Sequence, residues 1–236
     1  MKQNMVTSLE YFVGGVPAGP IFKINLDSLK EMVSASEDKS FGNQAVEVCL
    51  IALVSYFEAF CKDEFASIIN ICPNLLRTFC SNRSDTAINI RELLAIDFDI
   101  PNKLGFVLSE KYDFGTAKSI NSLYGDLLSI TPISKDESKK FNRLLNDRNL
   151  LVHHGGIFTT KYNEQNFIQQ QLGNRLFMDS LRVTKNDFYF WAEFVEGRVV
   201  KIIKTSHKAV VDFIKREKIK LPKEAKKAVD FLKWYG

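Results

Sequence analysis

Residues 43–71 place the strongest constraint on how this chain can fold. Val46, Leu50, Leu53, Val54, Phe57, Phe60 and Phe65 recur at helical intervals, and Pro73 closes the run. Further apolar side chains fill most of the remaining faces, so no single stripe carries the hydrophobic character. A helix of this kind has to be covered on most sides. The pattern predicts a long, largely buried helix, with the rest of the chain supplying the elements that surround it.

The remaining elements also read as helical. Shorter helical patterns cover 87–96, 103–111 and 117–129, separated by turn signals at Ile100-Pro101 and Phe114-Gly115. A second strong helix starts at Ser134, whose hydroxyl can cap a free amide while Glu137 reaches back. It is expected to run through Phe141, Leu144, Leu145 and Val152 and to stop at Gly155-Gly156, where the left-handed closing conformation is available. Thr184 with Asp187 resembles another start, leading into a helix or broken helix pair that reaches Lys215. Pro222 suits the first turn of a last helix ending near Tyr235.

Gly14, Gly15, Pro17, Gly19 and Pro20 suggest a loop-rich lead-in, with only a brief helix over 26–33. The polar stretch 159–173 is read as a loop or irregular insertion. No segment alternates like a strand and no βαβ order is visible, so the expected class is all-α. Residues 1–43 form the lead-in and 44–156 the core. Residues 157–236 pack on that core as a polar loop and C-terminal helices, within one domain.

Several function classes are disfavoured. Gly14-Gly15 and Gly19 follow no strand and lack the Lys-Ser/Thr ending of a phosphate-binding loop. Cys49, Cys61, Cys72 and Cys80 are spaced too widely to clip zinc and are expected as free buried thiols; His153, His154 and His207 form no acid-rich cluster. No metal or cofactor is therefore expected. The apolar run from Val46 to Phe60 contains Glu47, Ser55 and Glu58 and falls short of the roughly 20 residues a membrane span needs. With no signal-peptide pattern before Gly14, the expectation is a cytoplasmic protein without a membrane partner.

Charge is distributed unevenly. From Arg198 onward twelve Lys and Arg face four Asp and Glu, a balance of +8, which leaves −4 for the rest of the chain. Lys201, Lys204 and Lys208 share one helix face. They read either as a solvated surface or as a face that tracks RNA phosphates.

The segment Asp147-Arg148-Asn149-Leu150-Leu151-Val152-His153-His154-Gly155-Gly156 concentrates polar groups at the end of a core helix. On a helix Asn149 and His153 lie about 40° apart, whereas Arg148 is about 140° from His153 and roughly 7.5 Å away along the axis, a gap that a long Arg side chain can close toward a shared ligand. Arg offers a permanent charge with a fork of donors suited to phosphate, and His moves protons near neutrality. Together they can cleave RNA without metal: a base takes the 2′-hydroxyl proton, the oxygen attacks phosphorus, and a cation holds the charge on the phosphorane. A His before Gly-Gly can instead simply bond the last helical carbonyls.

This segment resembles the signature of the HEPN superfamily, an Arg often followed by Asn, then four to six residues and a His, near the end of the last core helix. The matching residues are Arg148, Asn149 and His153; His154 also satisfies the spacing, and His153 ranks first because it shares the Asn149 face. Val54-Ser55-Tyr56-Phe57-Glu58-Ala59-Phe60 is similar to the first core helix of the RiboL-PSP-HEPN branch, which makes Glu58 a candidate for orienting Arg148 or His153. The resemblance spans residues 44–156, about half the chain. It implies a HEPN-type bundle with extra C-terminal basic helices and a homodimeric endoribonuclease leaving 2′,3′-cyclic phosphate and 5′-hydroxyl ends. Such proteins act as toxins or antiviral effectors, which calls for a neutralising or regulatory protein partner. The alternative is a non-catalytic helical module that binds RNA or protein.

Overall fold

The computed structural model describes residues 7–37, 43–166 and 179–235. These residues form α-helices joined by turns and short 3₁₀ segments, and no strand occurs among them apart from an isolated bridge between Ile157 and Ser180. The class is all-α. The helices are α1 (Ala18–Ala35), α2 (Gln44–Ile71), α3 (Leu76–Asn82), α4 (Ile90–Ala95), α5 (Ile100–Ser109), α6 (Ala117–Leu128), α7 (Lys135–His154), α8 (Thr160–Asn166), α9 (Lys185–Arg216) and α10 (Lys223–Phe231).

The chain divides into two compact units. One comprises Met1–Ile24, Glu58–Ile133 and Gly197–Gly236; the other comprises Asn25–Phe57 and Ser134–Glu196. Neither is continuous in sequence, because α1, α2 and α9 each contribute one end to each unit.

In the first unit the core forms around Phe65 of α2, whose ring meets Phe79, Phe114 and Tyr124 edge-on at 5.5–5.8 Å. The offset geometry suits the ring quadrupoles, and each fully buried ring contributes about 1.5–3 kcal/mol from burial alone. The Tyr124 hydroxyl donates to the Cys61 carbonyl at 2.9 Å, so the buried phenol is satisfied. Gly105 brings α5 against α2: its amide donates to Asn70 Oδ1 at 2.7 Å, and a Cβ there would collide with the Ala66 carbonyl. In the second unit Phe57 meets Phe141 at 5.2 Å, Lys30 pairs with Glu196 at 2.8 Å, and Lys140 lies over the Phe190 and Phe194 rings.

Several expectations are corrected. The supposed loop before residue 26 is already helix, since α1 starts at Ala18. Pro20 sits in its first turn, where the missing N–H costs nothing, and Gly19 is needed because a side chain would strike the Trp234 carbonyl. Residues 160–166 of the expected polar loop form α8; residues 167–178 of that stretch lie outside the described residues. Of the two alternatives for the segment after Thr184, the structure has the single helix, continuous over 32 residues. Cys80 is exposed, whereas Cys49, Cys61 and Cys72 are buried free thiols as expected.

The apolar run in α2 also extends further than its first half suggests. Helix α2 has 28 residues and a window of mean hydropathy 1.6, so by length and composition it is long and apolar enough to cross a membrane. A buried core helix satisfies the same test, and Val46, Leu50, Leu53, Val54, Phe57 and Phe65 of α2 are all buried inside the protein.

Candidate functional site

Helix α7 is built at both ends by local chemistry. The Ser134 amide donates to Glu137 Oε2 at 2.7 Å and the Glu137 amide to Ser134 Oγ at 3.4 Å, which forms the expected capping box. Phe141, Leu144, Leu145, Leu150 and Leu151 bury the inner face. At the far end Gly155 (φ 57°) and Gly156 (φ 81°) both take left-handed conformations, and the Gly156 amide closes on the Leu150 carbonyl at 3.1 Å. His153 and His154 are thereby left exposed in the last turn.

The chain beyond Gly156 folds back beside this end. Gly156 accepts a hydrogen bond from the Leu181 amide at 2.8 Å, and Thr159 Oγ1 caps α8 by accepting from the Tyr162 amide at 3.1 Å. Helices α7 and α8 contact each other and bound a cleft of about 260 Å³. Asn146, Asn149, His153 and His154 line it from α7. Thr159, Lys161 and Tyr162 line it from the following segment. No carboxylate is among the lining residues.

Asp147 explains how the two helices are fastened. It falls on the Leu144–Leu151 face, is only 6% exposed, and accepts a 2.6 Å hydrogen bond from the Tyr162 hydroxyl. Burial pushes the Asp147 carboxyl above its usual range, opposed by the Tyr162 hydrogen bond and the Arg143 charge. Burial also raises the Tyr162 phenol, with Asp147 adding to the effect, so this hydroxyl remains a donor at neutral pH.

The sequence-derived candidates separate into three groups. Asn149, His153 and His154 come together in the cleft. Arg148 is half-buried and touches this group through Asn149, since its Nη1 donates to Asn149 Oδ1 at 2.9 Å; it is not among the lining residues, and its Nε is buried without a partner among the described residues. The 140° offset from His153 accounts for that position.

Glu58, Lys201, Lys204 and Lys208 all belong to the other unit. There the Glu58 carboxylate lies close to Gly115, near enough that a Cβ on that glycine would come within 3.3 Å of Oε1. Lys204 and Lys208 are exposed, while Lys201 is half-buried and its amine is pushed below the usual lysine range by burial and then by the Arg198 charge.

Sequence reasoning missed Thr159, Lys161 and Tyr162. A hydroxyl three residues before Tyr162, together with an Asp on an otherwise apolar face, are the signals that could have located them. Among the described residues no group of three or more His, Cys, Asp or Glu converges on a point that could hold a metal ion. No family model matches the chain, and no curated protein or solved structure matches it.

Proposed function

We propose that this chain is a metal-independent endoribonuclease of the HEPN type that works at the cleft where α7 ends. The observation that carries the reading is the gathering of His153, His154 and Asn149 in one carboxylate-free cleft, with the Arg148 guanidinium bonded to Asn149 at its edge. Imidazoles that open onto a cleft can exchange protons with a substrate bound there.

In this reading His153 takes the proton of a ribose 2′-hydroxyl, and the freed oxygen attacks the adjacent phosphorus. The bond from phosphorus to the 5′-oxygen then breaks, and that oxygen leaves with a proton from a second imidazole. His154 in the same cleft is one source of that proton. A second copy of the α7 end across a two-fold axis is the other, and a homodimer belongs to the proposal for that reason. Arg148 adds positive charge beside the phosphate, and Asn149 orients it. The products carry 2′,3′-cyclic phosphate and 5′-hydroxyl ends, and DNA is not cut. A toxin or antiviral role, restrained by a protein partner, is the biological setting that the HEPN resemblance implies.

The test is cleavage of labelled RNA in excess chelator. His153→Ala and Arg148→Ala are each expected to reduce cutting by more than about a hundredfold. Cutting that needs added metal, or that survives both changes, overturns the assignment. The position of Arg148 outside the cleft lining favours a second reading, a non-catalytic helical module, which RNA binding without any cleavage supports.

A further inference from the structure

Resting on that nuclease reading, we infer that Lys161 is a further catalytic residue, an ammonium from α8 that contacts a non-bridging oxygen of the scissile phosphate beside the α7 imidazoles. Among the described residues that line the cleft, Lys161 is the one Lys or Arg side chain, because Arg148 stands outside the lining. Among the described residues it has no carboxylate partner, unlike Lys30 with Glu196 or Lys139 with Asp136. No acid is among the residues lining the cleft, and Asp147 of α7 is turned into a buried hydrogen bond with Tyr162. A cation left unpaired in a concave site lined with donors and free of acids suits an anionic ligand.

The neighbouring residues hold Lys161 in place. Tyr162, next in sequence, is fixed to α7 through Asp147, its amide is capped by Thr159, and its ring stacks on Phe158 at 5.4 Å. The backbone that carries the amine is thus tied to the helix that carries His153. At about 260 Å³ the cleft is smaller than pockets for drug-sized ligands, typically about 300–1,000 Å³, which fits a phosphate with its ribose while the bases lie outside. As the 2′-oxygen bonds to phosphorus and the 5′-oxygen leaves, charge gathers on the non-bridging oxygens, and an ammonium fixed beside them stabilises that state more than the ground state.

The experiment compares Lys161→Ala, Lys161→Arg and His153→Ala with the unaltered protein by two readouts. One is kcat and KM on a short RNA; the other is binding of cytidine 3′-monophosphate, followed through the histidine ring signals by NMR. Lys161 is exposed, so its variants are expected to fold. The inference requires Lys161→Ala to lower kcat by about a hundredfold with a smaller change in KM, Lys161→Arg to recover part of that loss, and the alanine variant to bind the nucleotide at least tenfold more weakly. Undiminished cleavage by Lys161→Ala, with His153→Ala inactive, overturns the role of Lys161 and leaves the nuclease reading standing. Nucleotide binding that needs Lys161 in a protein that cuts no RNA overturns the nuclease reading and keeps Lys161 as a phosphate contact. An unaltered protein that neither cuts RNA nor binds the nucleotide overturns both.

Discussion

The middle of α2 and the end of α7 both collect ionisable groups, and they treat them in opposite ways. On α2, Glu64 is 1% exposed with Oε1 unpartnered among the described residues, and burial lifts its carboxyl to about 8; Asp63 is lifted to about 6. Cys61 and Tyr124 beside them are raised well above their usual values, chiefly by burial. At the end of α7 the imidazoles are exposed, and the one buried acid, Asp147, is satisfied by Tyr162. The contrast separates two kinds of polar cluster. In a closed one burial penalises the charged forms and the groups act on stability, while an open one can exchange protons with a ligand.

The comparison can be broken or sharpened by substitution. The largest effect is expected at Gly105, where the α5–α2 contact leaves no room for a Cβ beside the Ala66 carbonyl. Gly105→Ala should destabilise the protein by about 3 kcal/mol or more in denaturant unfolding. A normal midpoint would show that this part of the molecule is not tightly closed.

Glu64→Gln tests the closed cluster by pH. A carboxyl whose folded pKa is raised to about 8 supports folding fully below its unfolded value, near 4.5, and loses that support as pH rises through 8. The unaltered protein should therefore lose stability from this group between pH 5 and pH 8, and the glutamine variant should reduce that loss by about 1–3 kcal/mol. Equal pH dependence in the two proteins would show that Glu64 is solvated.

The smallest effect concerns the open end. Nothing lies within 4 Å of a Cβ built at Gly155, so only its left-handed backbone resists Gly155→Ala. A loss of about 1–2 kcal/mol is expected, less than at Gly105. A larger loss would mean that the end of α7 is packed rather than open.

What was legible in the sequence follows the range of the forces involved. Ser134 with Glu137, Gly155 with Gly156, and Thr184 with Asp187 mark helix ends through contacts no more than a few residues apart, so composition and spacing sufficed. Helical arithmetic likewise put Asn149 and His153 on one face, and both line the cleft, whereas Arg148, expected to reach the same ligand from about 140° away, stands outside the lining. Gly19 and Pro20 were misread as loop because the first is required by the distant Trp234 carbonyl and the second is harmless in a first turn.

The sequence alone therefore determined an all-helical chain, the two ends of α7 and the face that carries His153, because each depends on local backbone geometry and periodic burial. Only the tertiary structure decided that α8 folds back on α7, that Asp147 turns inward to Tyr162, and that Lys161 lines the same cleft as the imidazoles. Those outcomes depend on contacts made after the Gly155-Gly156 reversal. A polar segment carries little periodic signal of its own, so its conformation is set by the surface on which it docks.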